Sequence, residues 1–385
     1  MLLEWLEPYY RQFVSSVRAG RMPSSVIIAG HEGLGGKLLA LEMAKYVLCH
    51  HPSEHGPCNS CPSCSNFARL TNMDCKVAYT SSTDEESSGY DFTHDLSGLI
   101  VRPEIKQART MRIDTMRKIT GFLNESAVGG SHYKVVIIAG AELMSEGAAN
   151  AILKTFEEPS KNSLIIMLTK SLEVLLPTIL SRASKMVIKD VPVEQAFAYL
   201  MNPSNQVPPI IRRVDGDEAE YNAQLQAAKE QCAGLNTPIT QQRAAIALAL
   251  SANAPLSAMK MLLSGDDLKA TEVVNALVQS VTRGDAYEVE VMSALKALSN
   301  QQQVSLLRTL ILEVLKYKAY VPVEQLPLVN YCGATVLERL QLDRLFEAME
   351  LLKHIEDRPP LIPARAPKAL IRSWLKGFKS DANML

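Results

Sequence analysis

Three short apolar runs lie in the first half of the chain, and none of them alternates with polar residues. They span residues 25–29, 134–139 and 164–168, and helical patterns separate them. Continuous apolar runs of this length are typical of parallel strands that are buried on both faces of a sheet. The pattern therefore predicts an α/β fold with a parallel sheet and flanking helices.

The segment between the second and third runs predicts a helix. Ala148, Ile152 and Phe156 recur at helical spacing. Ser145 is suited to cap the amino terminus of this helix, and Pro159 ends it.

Beyond about residue 240 the pattern indicates helices almost throughout. Two apolar stripes at helical spacing are interpreted as core packing rather than a cofactor site. The stripes are Val304, Leu307, Ile311 and Val314, and Leu342, Leu345, Met349 and Leu352. Polar residues 80–110 predict an exposed loop, and the proline-rich stretch 190–240 predicts a second irregular region. We expect three domains: an α/β domain at 1–168 with an insertion at 49–64, a small helical domain at 169–262, and a helical domain at 263–385.

Composition narrows the possible functions. The 385 residues include 40 Lys+Arg and 41 Asp+Glu. This balance argues against a free-standing DNA wrapper, whose surface must be strongly basic to neutralise phosphates. No apolar stretch approaches the ~20 residues that span a bilayer, and acids stand near the amino terminus where a signal peptide has bases. We therefore expect a cytoplasmic protein without membrane association, whose seven cysteines are reduced.

Four cysteines lie close together in the spacing C-x8-C-x2-C-x2-C. They are Cys49, Cys58, Cys61 and Cys64. Two-residue gaps allow neighbouring thiolates to bind one metal ion, and four sulfurs complete a closed tetrahedral zinc site. The alternatives are free thiols on a loop or a redox pair, although a redox C-x-x-C motif usually lacks additional cysteines. The spacing favours a structural Zn²⁺.

A glycine-rich loop follows the first apolar run and precedes a helical pattern. It contains Gly30, Gly33, Gly35, Gly36 and Lys37. A phosphate loop needs lysine followed by a hydroxyl residue that binds Mg²⁺. A loop that starts at Gly30 has Gly36 at the lysine position. A loop that ends with Gly36 and Lys37 has Leu38 at the hydroxyl position, so neither register supplies the magnesium ligand.

The second apolar run lacks the other expected magnesium ligand. Strands of this kind end in an acidic residue that helps to hold Mg²⁺. This one ends at Ala139 and Gly140, and the next carboxylate is Glu142. Two independent losses predict a nucleotide-binding fold that no longer hydrolyses ATP.

Two further segments resemble a known family. Residues 149–159 resemble the signature N-A-L-L-K-T-L-E-E-P of clamp-loader ATPases, and residues 175–182 resemble the stretch that ends in their Ser-Arg-Cys motif. The cysteine cluster stands where bacterial clamp-loader subunits bind zinc. With its degenerate phosphate loop, the chain is similar to the delta-prime subunits of DNA polymerase III. The resemblance is specific over about residues 20–190.

The resemblance implies an AAA+ domain with a P-loop-like core, a small helical lid domain and an all-α collar. It implies a hetero-pentameric ring with tau/gamma and delta subunits, which places the sliding clamp on primed DNA. The chain would have no functional ATP site or ATPase activity of its own, within a holoenzyme that is a nucleotidyltransferase. Arg182 would be an arginine finger that reaches a neighbour's ATP in trans. The alternative for Arg182 is an ion pair with a nearby acid at a helix end.

The sequence departs from the family pattern at several positions. Ala183 replaces the cysteine after the arginine, and residues 252–256 lack the arginine that senses nucleotide in relatives. Thr169 stands at the position of a polar sensor, which has no evident role without bound Mg-ATP.

Two rival functions differ in their sequence requirements. An active AAA+ ATPase subunit of the tau/gamma type needs the missing magnesium ligands. A zinc-ribbon nucleic-acid binder needs basic and aromatic residues around the cysteines, whereas residues 50–66 contain Glu54 and neither Lys nor Arg.

Overall fold

The structure is a computed structural model of the chain, and it describes residues 2–80, 90–93, 110–206, 232–283, 288–333 and 342–356. These residues group into two compact units, with the main break between Val191 and Pro192. The sheet of the first unit continues past residue 168, because one strand ends at Thr169 and another follows it. The three predicted domain bounds stay a prediction.

A six-stranded sheet forms the centre of the first unit. Its strands are β1 (Ser25–Ala29), β2 (Cys75–Thr80), β3 (Tyr90–Thr93), β4 (Lys134–Ala139), β5 (Ser163–Thr169) and β6 (Ser184–Val187). The strand order is β3-β2-β4-β5-β1-β6. Every neighbouring pair is parallel except β2 and β3. The three predicted strands are confirmed as β1, β4 and β5, and each is buried along its whole length.

Helices cover both faces of this sheet. They are α1 (Glu7–Arg18), α2 (Gly36–Leu48), α3 (Pro62–Ala68), α4 (Ile113–Asn124), α5 (Glu146–Glu157) and α6 (Pro177–Leu180). Ile27 and Met167 pack with α4 and α5 on one face. The neighbouring strand residues Ile28 and Leu168 lie beside Gly36 at the start of α2, on the other face. This alternation is what a strand requires when both its faces are buried.

Helix α5 is the helix that the sequence predicts between β4 and β5. The Ser145 hydroxyl accepts a hydrogen bond from the backbone N–H of Ala148 at 3.1 Å, which caps the amino terminus. Ala148, Ile152 and Phe156 are buried against the sheet.

The register of the central strands determines where the glycine-rich loop lies. Ala29 pairs with Thr169, and Ala139 pairs with Leu168. The carboxyl ends of β1, β4 and β5 therefore meet at one edge of the sheet. Parallel α/β sheets bind their ligands at this edge, and the loop after β1 lies there.

The second unit is helical. Its helices are α7 (Val193–Met201), α8 (Gln241–Leu250), α9 (Pro255–Ser264), α10 (Asp266–Arg283), α11 (Glu288–Leu295), α12 (Asn300–Lys318), α13 (Pro327–Cys332) and α14 (Leu342–Glu356). The stripe on α12 is buried, as predicted. On α14, Leu345 and Leu352 are buried, but Leu342 is 47% exposed, so its assignment to the core was wrong. Leu342 is the first residue of the helix, where fewer neighbours cover a side chain.

A buried ion pair fixes the start of α10 to α8 within the second unit. Arg243 Nε and Nη2 donate to Asp267 Oδ2 and Oδ1 at 2.7 and 3.0 Å. The side chains of Arg243 and Asp267 are 9% and 1% exposed. The guanidinium also donates to several backbone carbonyls, including those of Gly234 and Leu262. This arginine is part of the packed interior.

The two stretches predicted to be irregular contain regular elements as well. Tyr90–Thr93 form β3, which pairs antiparallel with β2, and α7 occupies Val193–Met201. The polar character of the first stretch gave no sign of a strand at the sheet edge. Residues 81–89, 94–109 and 207–231 lie outside the described residues.

No single described helix is both long and apolar enough to cross a bilayer. Helices α8 and α9 meet that criterion only as a pair, across a bend of 119°.

The fold class predicted from the sequence is confirmed. A P-loop-like α/β domain, with a parallel sheet and flanking helices, precedes a region built of helices.

Candidate functional site

The structure brings the four predicted cysteines together. Cys49 follows α2, Cys58 and Cys61 lie in the next loop, and Cys64 lies in the first turn of α3. Their Sγ atoms all lie within 4.8 Å of one another. Tetrahedral zinc with Zn–S bonds of about 2.3 Å needs sulfurs about 3.8 Å apart, and Cys58 and Cys64 are separated by 4.0 Å. The cluster fits a Zn²⁺ ion with four protein ligands.

Backbone amides stabilise negative charge on these sulfurs. The N–H groups of Cys58, Cys61 and Cys64 point at the Sγ atoms of Cys49, Cys58 and Cys61, with N···S distances of 3.2, 3.4 and 3.4 Å. Hydrogen bonds from the Ser60 and Cys61 backbone help to lower the pKa of Cys58 to about 5, whereas burial raises the pKa of Cys49 and Cys64. A divalent cation compensates for the charge of several thiolates held together in a partly buried site.

Local contacts attach the cysteine cluster to the α/β domain. A ring nitrogen of His50 lies 2.6 Å from the carbonyl oxygen of Gly129, in the loop before β4. The side-chain amide of Asn72 donates to the backbone and hydroxyl oxygens of Ser63 in α3. No position among the four sulfurs is open to substrate, so the cluster has the form of a structural site.

The predicted phosphate loop is held by contacts within the chain. The Trp5 indole N–H donates to the carbonyl of Leu34 at 2.9 Å, and the Leu34 side chain is only 1% exposed. The Gly30 N–H donates to the carbonyl of Thr169 at 3.0 Å. A phosphate loop binds its ligand through outward-pointing backbone groups. In this chain the Trp5 indole binds a carbonyl of the loop, and the Leu34 side chain is buried in the protein interior.

The glycines of this loop have structural reasons that are independent of phosphate. Gly33 and Gly35 have φ angles of 91° and 97°, in the left-handed region that favours glycine. A Cβ atom added to Gly30 would lie 3.3 Å from Cβ of Ile188. The backbone of the loop therefore requires glycine at these positions.

A carboxylate lies beside the same loop. A ring nitrogen of His31 is 3.1 Å from Oδ1 of Asp190, which follows β6. Glu32 places another acid in the loop itself. The loop region therefore contains acidic groups as well as Lys37.

At the carboxyl end of β4 the nearest following carboxylate is Glu142, and the strand itself ends in Ala139. Ala139 is 5% exposed, and Gly140, with φ of 78°, leads into a short 3-10 helix at Ala141–Leu143. Glu142 lies in this helix, and its Oε2 atom is buried without a hydrogen-bond partner among the described residues. The hydroxyl of Thr169, at the predicted sensor position, donates to the carbonyl of Ser171 at 2.9 Å. That hydroxyl is used within its own turn.

Arg182 lies at the surface, directly after α6 and Ser181. Its Nη2 atom is 2.7 Å from Oε1 of Glu157, and Nη1 donates to the carbonyl of Thr178 at 2.9 Å. The Arg182 side chain is 34% exposed. Ala183, which replaces the family's cysteine, packs against the core beneath α5 and α6. The structure thus places Arg182 in an ion pair with an acid at a helix end, and its role toward a neighbour stays a prediction.

Several contacts of the site were not found by sequence reasoning. Arg182 and Glu157 lie in the two segments that resemble the clamp-loader family. The separation of these segments in the sequence does not reveal that the two residues are in contact. Trp5 and Asp190 are far from the loop in sequence, and no local pattern identifies them. These contacts depend on the tertiary arrangement around β1 and β6.

Comparison with known proteins places the first unit and part of the second in one family. The family model described as "DNA polymerase III, delta subunit" matches residues 5–192. DNA polymerase III subunit delta' of Escherichia coli K12 is 30% identical over 317 residues, which are 81% of this chain and 75% of that protein. The subunit delta' of Pseudomonas aeruginosa is 31% identical over 156 residues, 40% of each chain.

A relative of a different subunit type is also similar. DNA polymerase III subunit tau of Bacillus subtilis is 30% identical over 176 residues, 46% of this chain and 26% of that protein. The 317 aligned residues of the Escherichia coli relative exceed the length of the first unit, so that similarity reaches into the second unit.

Proposed function

This chain belongs to the family of DNA polymerase III delta-prime subunits, and on that premise we propose that it is a non-hydrolysing subunit of a clamp loader. It assembles with tau/gamma and delta subunits in a hetero-pentameric ring in the cytoplasm. The ring uses ATP bound by other subunits to load the sliding clamp onto primed DNA. This chain is a rigid member of the ring, and it supplies Arg182.

The observation that supports a non-hydrolysing role best is the replacement of both magnesium ligands. The Trp5 indole binds the carbonyl of Leu34 in the loop, and Asp190 lies beside the loop. Leu38 and Ala139 stand where Mg²⁺ ligands are required. Without the metal, charge that develops on the transferred phosphoryl group is not neutralised, so hydrolysis is not supported at this site.

The rival function is an active ATPase subunit of the tau/gamma type. The similarity to the Bacillus subtilis tau subunit gives this rival a specific basis. It requires a phosphate loop that opens to nucleotide and a hydroxyl at position 38. Leu38 does not supply that hydroxyl.

Arg182 is the residue through which this subunit would act on ATP. A guanidinium against the γ-phosphate of a neighbour's ATP counters the charge of the transition state. In other systems such a finger changes the rate by 10³–10⁵. Its partial exposure and its position after a short surface helix support this role.

The cysteine cluster would hold one structural Zn²⁺ ion through Cys49, Cys58, Cys61 and Cys64. The ion would stabilise the loop between α2 and α3 and take no part in chemistry, because its four positions are filled by protein.

Reconstitution tests this function directly. We expect the purified chain to elute from gel filtration together with its cognate tau/gamma and delta subunits as one stable complex. The isolated chain should show no ATP hydrolysis. Failure to form any complex with these subunits would reject the proposal.

The variant Lys37→Ala is the control for the expected absence of ATP hydrolysis by the isolated chain. Trace ATPase activity from a contaminant should not change in this variant. Activity that follows the protein through gel filtration and disappears with Lys37→Ala would support the tau/gamma-like rival.

A further inference from the structure

Glu157 holds Arg182 within its own chain. It is the last residue of α5, and its Oε1 atom lies 2.7 Å from Nη2 of Arg182. We infer that Glu157 is a resting partner of Arg182, which competes with the phosphates of a neighbouring subunit's ATP. The inference rests on the proposed function of Arg182 and adds a residue that regulates it.

The backbones that present the two side chains are fixed. Phe156, next to Glu157, is 5% exposed, and Ile179 in α6 is fully buried in the same core cluster. The Ser25 hydroxyl also donates to the carbonyl of Arg182 at 3.2 Å, which connects this residue to β1. A change of partner therefore needs rotation of side chains and no movement of α5 or α6.

The contacts of the guanidinium use the donors that a phosphate would need. Nη1 donates to the Thr178 carbonyl at 2.9 Å and to the Ser181 hydroxyl at 3.3 Å, while Nη2 contacts Glu157. Within the described residues Glu157 is the only charged partner of Arg182. A phosphate that binds across the Nη1–Nη2 end of the fork meets these same atoms. A phosphate and the Glu157 carboxylate therefore compete for Nη2.

The ion pair is weak enough to be replaced. The side chains of Arg182 and Glu157 are 34% and 51% exposed. An exposed pair of this kind shifts an equilibrium by a factor of about 1.4 to 5. A terminal phosphoryl group carries more negative charge than one carboxylate, so it displaces Glu157 once a neighbour binds ATP. Glu157 therefore delays engagement of the finger without preventing it.

This competition has a defined kinetic consequence. When only a fraction of a binding group is free, the apparent affinity for its ligand falls by that fraction. Removing the charge of Glu157 should lower the half-maximal ATP concentration by about 1.4- to 5-fold at the one ATP site that Arg182 completes. The shift in the titration of the whole ring should be smaller, because its other sites receive arginines from other subunits. The rate at saturating ATP should remain close to that of the wild type, because phosphate then occupies Arg182 in both proteins.

The experiment compares Glu157→Gln with Glu158→Gln in the reconstituted complex. Glu158 is the adjacent exposed carboxylate at the same helix end, and within the described residues it has no ion pair with Arg182. Both variants remove one negative charge from the same place. ATP titrations of hydrolysis, with the clamp and primed DNA present, give the half-maximal concentration and the maximal rate for each complex.

Four outcomes separate this inference from the proposed function. A lower half-maximal ATP concentration with Glu157→Gln alone, abolished in the double variant with Arg182→Ala, supports the inference. If the two glutamine variants give equal titrations and the Arg182→Ala complex is slower, the competition by Glu157 is rejected. The role of Arg182 as an arginine finger is then kept. A lower maximal rate with Glu157→Gln also overturns it, because Glu157 would then orient Arg182. If Arg182→Ala has no effect on hydrolysis, the proposed function itself fails.

A measurement on the isolated full chain checks the ion pair without activity. Nitrogen NMR of arginine side chains reports rotation of the guanidinium. We expect slow rotation for Arg182 in the wild type and in Glu158→Gln, and faster rotation in Glu157→Gln. The same fast rotation in all three proteins would show that Glu157 does not hold Arg182 in solution.

Discussion

Arg182 in the first unit and Arg243 in the second are held in opposite ways. Arg243 is 8% exposed, forms a two-point contact with Asp267, and donates to four backbone carbonyls. Arg182 has a side chain that is 34% exposed, and its guanidinium contacts one carboxylate oxygen, one carbonyl and one hydroxyl. Both residues are arginines next to an acid, yet only one has its donors fully used by its own chain.

The difference separates an arginine that stabilises a fold from one that remains available. Every part of the Arg243 fork meets an acceptor, so no donor is left for another molecule. Arg182 has donors that its described neighbours do not use, and its ion pair is at the surface, where such pairs contribute little to stability. An ion pair in a structure is therefore compatible with either role, and burial and donor use distinguish them.

The largest effect is expected for Arg243→Met in the second unit. Loss of the guanidinium leaves Asp267 buried without its counter-charge, which costs about 3–5 kcal/mol. Arg182→Ala should lower stability by no more than about 1 kcal/mol, because both partners are exposed. Urea unfolding of the two variants measures this contrast.

A double variant sharpens the same test. Arg243→Met combined with Asp267→Leu removes the uncompensated charge and should recover part of the lost stability. Equal losses for Arg182→Ala and Arg243→Met would show that exposure does not separate the two residues.

The cysteine cluster is expected to behave like Arg243, as part of the structure. The purified chain should contain about one zinc ion, and Cys61→Ser should release it and lower the midpoint of unfolding. Cys332→Ser is the matched control, since Cys332 lies outside the cluster. Elemental analysis that finds no metal in protein prepared without chelators would reject the zinc site.

Much of the first unit could be predicted from the sequence because its signals are local. Continuous apolar runs identified β1, β4 and β5, and the Ser145 cap identified α5. Cysteine spacing identified the cluster, since short gaps in the sequence keep the thiols close independently of the tertiary structure. Strand β3 was missed because a short edge strand needs no apolar run.

The partners of the site residues could not be predicted in the same way. Glu157 and Arg182 are 25 positions apart in the numbering, and Trp5 and Leu34 are separated by 29. These contacts depend on how elements distant in the sequence pack together. The sequence offered both a finger and an ion pair for Arg182, and the structure contains the ion pair without excluding the finger.

The smallest expected effect concerns the phosphate loop. Leu38→Ser combined with Ala139→Asp restores the types of the two missing magnesium ligands. We still expect no ATP hydrolysis by the isolated chain, because His31 stands at the first glycine position of the register that ends with Gly36 and Lys37. Circular dichroism confirms that the variant is folded. Turnover by the folded variant would show that the loop opens to nucleotide.

The central claim is that Arg182 acts on a neighbour's ATP, and the most direct test is hydrolysis by the complex that contains Arg182→Ala. With clamp and primed DNA present, we expect this complex to assemble normally, keep its zinc and hydrolyse ATP more slowly than the wild type. The loss should be partial, since other ATP sites of the ring receive arginines from other subunits. Arg182→Lys should restore little of the lost ATP hydrolysis, because lysine lacks the planar fork of the guanidinium. A normally assembled Arg182→Ala complex that hydrolyses ATP at the wild-type rate would contradict the claim and leave Arg182 as a surface ion pair with Glu157.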